Sequence, residues 1–97
     1  QIFTAHTGVE ALQVIEKERP DLVFMDLYMD LMDGDECCRI IREKYGASIA
    51  VIMVTHGSAV DDFERCWHSG CDEIIVKPIN HHLFIGTAKK YRKMHSD

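Results

Sequence analysis

Three short apolar runs punctuate the chain, and each stops at a polar residue. Leu22-Val23-Phe24-Met25 stops at Asp26, Ile49-Ala50-Val51-Ile52-Met53-Val54 at Thr55, and Ile74-Ile75-Val76 at Lys77. Runs this short, bounded by turn residues such as Pro20, predict strands buried on both faces. The apolar start at residues 1–4 predicts a further strand. Ala5-His6-Thr7-Gly8 then reads as a turn, with Thr7 placed to cap a helix. Between the runs the apolar spacing becomes helical. Val9, Ala11, Leu12 and Ile15 share one side, with Glu10, Glu16, Lys17 and Glu18 opposite, and Pro20 stops the helix. Asp33-Gly34-Asp35-Glu36 opens a second helix with carboxylates at its positive end. That helix carries Cys37, Ile40, Ile41 and Tyr45 on its apolar face, and Gly46 ends it. After a loop at His56-Gly57-Ser58, residues 59–69 predict a third helix whose apolar face is Val60, Phe63, Cys66 and Trp67, closed by Gly70. Asn80 can cap a last helix that carries Leu83, Phe84, Ala88 and Tyr91 and ends in basic residues. Apolar strands alternating with amphipathic helices imply an α/β domain with a parallel sheet covered on both faces.

Composition narrows the function. A chain of 97 residues makes one domain or part of one. A net charge of -5 argues against a direct nucleic-acid surface. No apolar stretch reaches the length of a membrane span, and no secretory leader is visible. Cys37, Cys38, Cys66 and Cys71 form no CxxC pair, which predicts reduced, packed thiols and a cytoplasmic setting. Cys66, His68 and Cys71 match no zinc spacing. His6, His68, His81, His82 and His95 are assigned no chemistry.

The candidate chemistry lies at the strand ends. In a parallel sheet all carboxyl ends face one way, so Asp26, Thr55 and Lys77 converge although they are far apart in sequence. A carboxylate can serve as nucleophile toward a phosphoryl group. A hydroxyl and an ammonium can bind the phosphoryl oxygens. A divalent cation would offset the charge of nucleophile and donor together. Taken singly, an Asp after a strand is usually a cap, a Thr a β-former and a Lys-Pro a turn; the set of three at matching ends is what carries the reading.

These residues resemble the receiver domain of two-component response regulators, a flavodoxin-like (CheY-like) doubly wound α/β fold with strand order 2-1-3-4-5. The resemblance rests on Asp21-Leu22-Val23-Phe24-Met25-Asp26, Met32-Asp33-Gly34, Thr55 and Lys77-Pro78, with Thr7-Gly8-Val9-Glu10-Ala11-Leu12 and Ser69-Gly70-Cys71-Asp72 in support. It spans essentially the whole chain. It implies that Asp26 accepts phosphate from a phosphohistidine on a histidine kinase or phosphotransfer protein. It implies that Thr55 and Lys77 bind the phosphoryl oxygens. It also implies that Asp26 and the backbone carbonyl of Tyr28 are Mg²⁺ ligands, and that the Lys77-Pro78 bond is cis.

The chain departs from the family in several places. The family's first strand and the acidic pair after it have no counterpart before Gln1. The domain over residues 1–97 is therefore expected to be an N-terminally incomplete receiver lacking its first β-α unit. The strand at residues 1–4 and that at 21–26 are expected to be left with open edges, which invites a homodimer or a strand-exchanged dimer. Mg²⁺ binding is expected to be weak or absent. Asp30 stands where the family usually has Pro, His56 where it has a small residue, and Ile74 where it often has a switching Tyr or Phe. Asp30, His56 and Pro78 flank the expected site. The main reading is a non-enzymatic phosphoacceptor that switches a protein-protein face, reporting to an effector domain or downstream protein. One alternative is a pseudo-receiver that binds or dimerises whatever the state of Asp26. Another is a Mg²⁺-dependent phosphatase of the haloacid dehalogenase type, which wants a second Asp where this chain has Tyr28.

Overall fold

A computed structural model describes residues 2–57 and 59–95. Gln1 of the expected first strand and Ser58 of the expected loop lie outside the described residues. The elements run β1 (Ile2–Thr7), α1 (Gly8–Glu18), β2 (Leu22–Asp30), α2 (Gly34–Tyr45), a short 3₁₀ turn (Gly46–Ser48), β3 (Ala50–Thr55), α3 (Val60–His68), β4 (Glu73–Val76) and α4 (His81–His95). The alternation is the expected one.

The sheet corrects one expectation. All neighbouring strands are parallel, in the order β1-β2-β3-β4. No place is held open for a strand between β1 and β2. They pair directly, Ile2 with Leu22 through Ala5 with Met25, so the two edges expected to stay open satisfy each other. The order 2-1-3-4-5 is thus not reproduced among the described strands, and the open-edge argument for strand exchange loses its basis. The physical reason is the cost of unpaired backbone N–H and C=O groups, which drives adjacent edges together.

Two boundaries also move. The expected turn at Ala5–Gly8 is largely strand, because β1 continues to Thr7 with a shift of register after Ala5. β2 runs on past Asp26 to Asp30, where it pairs with Thr7, so Asp26 lies within the strand. Its ladder with β3 does end at Asp26, opposite Val54. Both predicted caps are present: Thr7 Oγ1 accepts from the Glu10 N–H at 3.0 Å, and Asn80 Oδ1 accepts from the Leu83 N–H at 2.7 Å.

Sequential parallel strands with right-handed crossovers put every crossover helix on the same face. Accordingly α1, α2 and α3 cover one face, where Val23, Met25, Leu27, Val51 and Met53 pack with Ile15, Cys37, Cys38, Ile41 and Cys66. The alternate residues Leu22, Phe24, Ile52, Val54 and Ile75 point the other way and meet Ala88 and Tyr91 of α4. Phe24 stacks on Phe84 with ring centroids 4.7 Å apart. Helices therefore lie on both faces, as a doubly wound sheet requires.

The third helix departs most from its predicted face. Cys66 is buried and Phe63 half-buried, but Val60 is 75% and Trp67 56% exposed, while Asp62 is buried. Leu83 and Val9 are also more exposed than helical spacing predicts. The four cysteines are free and buried, as expected. Burial pushes the thiols up, Cys37 and Cys71 to about 12 and Cys66 to about 11. A thiol-disulfide reagent at pH 8 will therefore label the folded chain far more slowly than the chain in guanidinium, which a thiol titration by absorbance checks.

Candidate functional site

The carboxyl end of the sheet assembles in steps. Asp26 pairs with Val54 across β2 and β3, which puts Thr55 one residue beyond it. Thr55 pairs with Val76 across β3 and β4, which puts Lys77 one residue beyond that. The Lys77 N–H donates to the Thr55 carbonyl at 2.8 Å and locks the two strand ends together. Lys77 Nζ then reaches Asp26 Oδ1 at 2.9 Å. The ion pair is about one-third exposed, at 36% and 35% for the two side chains. A pair so exposed contributes under about 1 kcal/mol to folding, so its geometry bears on chemistry more than on stability.

Thr55 is buried, and its Oγ1 accepts from the Gly57 N–H at 3.3 Å. That bond leaves the hydroxyl hydrogen to donate elsewhere. Gly34, the first residue of α2, packs so tightly under β2 that a Cβ there would collide with the Asp26 carbonyl oxygen. A glycine at this place lets the helix approach the strand that carries Asp26. The Lys77-Pro78 bond is cis, as the sequence resemblance implied. Pro78, His56 and Asp30 are exposed at the rim, and Ile74 is half-buried against the α1–α3 face of the core.

Beside this edge lies a polar cluster that helical spacing did not predict. Arg65 of α3 donates to both oxygens of Asp35, at 3.1 and 2.9 Å, and to Asp33 at 3.0 Å. Its guanidinium lies 5.1 Å from the centre of the Tyr28 ring, and the Tyr28 hydroxyl donates to Asp62 at 2.6 Å. That bond to Asp62 pushes the Tyr28 phenol above its ordinary range. Burial works against the Asp35 carboxylate, but the bonds and charge of Arg65 outweigh it and hold its carboxyl below the usual range. The same two carboxylates raise Arg65. The sequence signal for this cluster is the pair Asp62 and Arg65, at i and i+3 on one side of α3. A shallow groove nearby is lined by Met29, Leu31, Met32, Asp33, Asp35, Glu36, Arg39 and Arg65, and includes none of Asp26, Thr55 and Lys77.

A second cluster is structural. Arg42 donates to the carbonyls of Gly46, Ile49 and Gly70 and to Asp72 Oδ2, which also accepts from the Val51 N–H. It ties the end of α2 to the turn into β4, at the edge opposite the candidate site.

The donor set for a metal is thin. Among the described residues no group of three or more His, Cys, Asp or Glu side chains could hold an ion. Asp26 supplies one carboxylate, already bonded to Lys77, and Mg²⁺ asks for near-octahedral oxygen coordination. By themselves these residues offer Mg²⁺ few donors.

The comparison with known proteins decides the family. The profile described as "Response regulator receiver domain" matches residues 1–89. The chain belongs to the response regulator receiver domain family. Among curated relatives of this receiver, the heme response regulator HssR of Staphylococcus aureus (strain MRSA252) is 41% identical over 76 residues, which are 78% of this chain and 33% of that protein. The receiver thus spans about a third of the length of the curated relatives it matches. Among solved structures, the signal receiver domain of a signal transduction histidine kinase from Syntrophus aciditrophicus superposes with a TM-score of 0.85 at 29% identity, covering 97% of this chain and 72% of that one. A two-component response regulator from Clostridium difficile gives a TM-score of 0.81 at 25% identity, covering 95% and 75%. No helix among the described residues of this receiver is long and apolar enough to cross a membrane.

Proposed function

We propose that this receiver takes a phosphoryl group onto Asp26 from a phosphohistidine of a histidine kinase or phosphotransfer protein. The observation that carries the reading is the Lys77 Nζ to Asp26 Oδ1 contact at 2.9 Å, beside Thr55. A cation so close to the carboxylate suits the oxygens of a phosphoryl group carried on Asp26. In the transfer a carboxylate oxygen of Asp26 attacks phosphorus, and the P–N bond of the phosphohistidine breaks. Its electron pair leaves with the imidazole, which takes up a proton. Lys77 and the Thr55 hydroxyl bind phosphoryl oxygens and offset their charge in the transition state. The receiver is proposed as a modified partner rather than an enzyme acting on other molecules. It would be one domain, over residues 1–97, of a longer regulator whose effector part or downstream protein reads the switch. Its setting would be cytoplasmic.

Two protein donors, the Asp26 carboxylate and the Tyr28 carbonyl, are the residues proposed to face Mg²⁺. On their own they would hold it weakly. Asp30, His56 and Pro78 are proposed as flanking residues only.

The test is intact mass after incubation with acetyl phosphate and Mg²⁺. Gain of a single, alkali-labile phosphoryl group supports the reading. No gain, here and again with the family's first strand and acidic pair joined ahead of Gln1, sinks it and leaves the pseudo-receiver. Sustained turnover of p-nitrophenyl phosphate would point to the phosphatase instead. Tyr28, whose hydroxyl is engaged by Asp62, stands where that class needs its acid, so no turnover is expected.

A further inference from the structure

We propose that Arg65 is a positioning residue. It ties α3 to the strand and loop that follow Asp26, so that the phosphorylation state of Asp26 sets the placement of α3. The inference rests on the phosphoacceptor reading of Asp26 and deepens it.

The apolar footing of α3 is small. Cys66 is buried in the core and Phe63 half-buried, but Val60 and Trp67 face solvent and the buried Asp62 points inward. The rest of its attachment is polar and closes into a ring. The Tyr28 hydroxyl donates to Asp62, one turn from Arg65 on the same helix. Arg65 binds both oxygens of Asp35 and one oxygen of Asp33, and the other oxygen of Asp33 accepts from the Met29 N–H at 3.4 Å. Tyr28 and Met29 are the second and third residues after Asp26 on β2. A shift of the Asp26 backbone is thus passed to α3 through two links, one to each end of the ring. On the other side Thr55, which would bind the phosphoryl group, lies on the segment that leads into α3. The planar guanidinium is essential to this geometry, because an ammonium is a point charge that cannot hold both carboxylates in the same fork. The ring also gives the chain a coupling route that does not use an aromatic at position 74, where Ile stands. Packed elements linked this way move as units of an ångström or two rather than deforming smoothly.

The experiment is hydrogen–deuterium exchange read by mass spectrometry on the full chain, with and without acetyl phosphate and Mg²⁺, for wild type, Arg65→Gln and Arg65→Lys. In wild type, phosphorylation changes exchange in residues 60–68. In Arg65→Gln, which removes the charge behind the three bonds to Asp33 and Asp35, those amides exchange at least on the order of tenfold faster before any phosphate is added. They then show no further change on phosphorylation, although intact mass still records the phosphoryl group and β3 keeps wild-type protection. Arg65→Lys behaves like Arg65→Gln. A wild-type response of residues 60–68 in Arg65→Gln overturns the proposal. If wild type takes no phosphoryl group, the reading of Asp26 fails separately. The tether is then judged by unphosphorylated exchange alone, where no difference between wild type and Arg65→Gln overturns it.

Discussion

Asp26→Asn will take no phosphoryl group from acetyl phosphate, and Lys77→Gln will take one on the order of 10²- to 10³-fold more slowly than wild type. The first outcome follows from the nucleophile. An amide has the shape of the carboxylate but lacks the charge needed to attack phosphorus. The amide oxygen can still accept from Lys77, and the ion pair it replaces is one-third exposed. The melting temperature should therefore move by no more than a few degrees, which separates loss of chemistry from loss of fold. The second outcome follows from placement. Lys77 is fixed by its own backbone bond to Thr55 and reaches Asp26 at 2.9 Å, so on the proposed reading it would meet a developing phosphoryl charge without reorganising. Glutamine removes that charge and keeps most of the bulk. Time courses of intact mass check both variants. Modification of Asp26→Asn would move the acceptor elsewhere, and wild-type kinetics for Lys77→Gln would remove Lys77 from the phosphoryl site.

Gly34→Ala will destabilise the domain by roughly 3 kcal/mol, the upper end of the usual cost of overpacking, because the element it meets cannot yield. The added Cβ collides with the Asp26 carbonyl oxygen and comes within 2.9 Å of Met53 Cε. The methionine end can turn aside, but the carbonyl belongs to the β2 backbone, so relief requires displacing α2 or Asp26 itself. For a domain of this size the melting temperature should fall by roughly 10–25 °C. Below the transition, phosphorylation should also slow, because the displaced atom belongs to the same residue as the reacting carboxylate. Gly86→Ala is the control. A Cβ there meets nothing within 4 Å, and the position is inside α4. Replacing a glycine in a helix interior should raise stability by about 0.5–1 kcal/mol. Shifts of opposite sign in thermal denaturation, the larger for Gly34→Ala, would match these assignments, whereas a neutral Gly34→Ala would mean that α2 is not pressed on the strand.

Much of this receiver is legible in one dimension because its elements are local. Unbroken apolar runs stop at Asp26, Thr55 and Lys77, and parallel pairing alone aligns such ends. The caps at Thr7 and Asn80 and the glycine at position 46 are equally local, since each satisfies backbone groups within its own helix end. What could not be read in sequence depended on neighbours. Pairing of β1 with β2 was settled by the need to bond two adjacent edges, whatever the family's order implied. The extension of β2 to Asp30 came from pairing with Thr7. The orientation of α3 follows the apolar-face rule only at Cys66 and Phe63, because three carboxylates, one arginine and a phenol gather from separate segments. Bonding that cluster outweighs turning Val60 and Trp67 inward. The sequence by itself determined the alternation of elements, the family and the candidate residues at the strand ends. Only the tertiary structure decided which edges meet, which face of α3 is inside and how Arg65 joins that helix to the strand of Asp26. Those outcomes turn on distances between residues some thirty positions apart, and no local period encodes them.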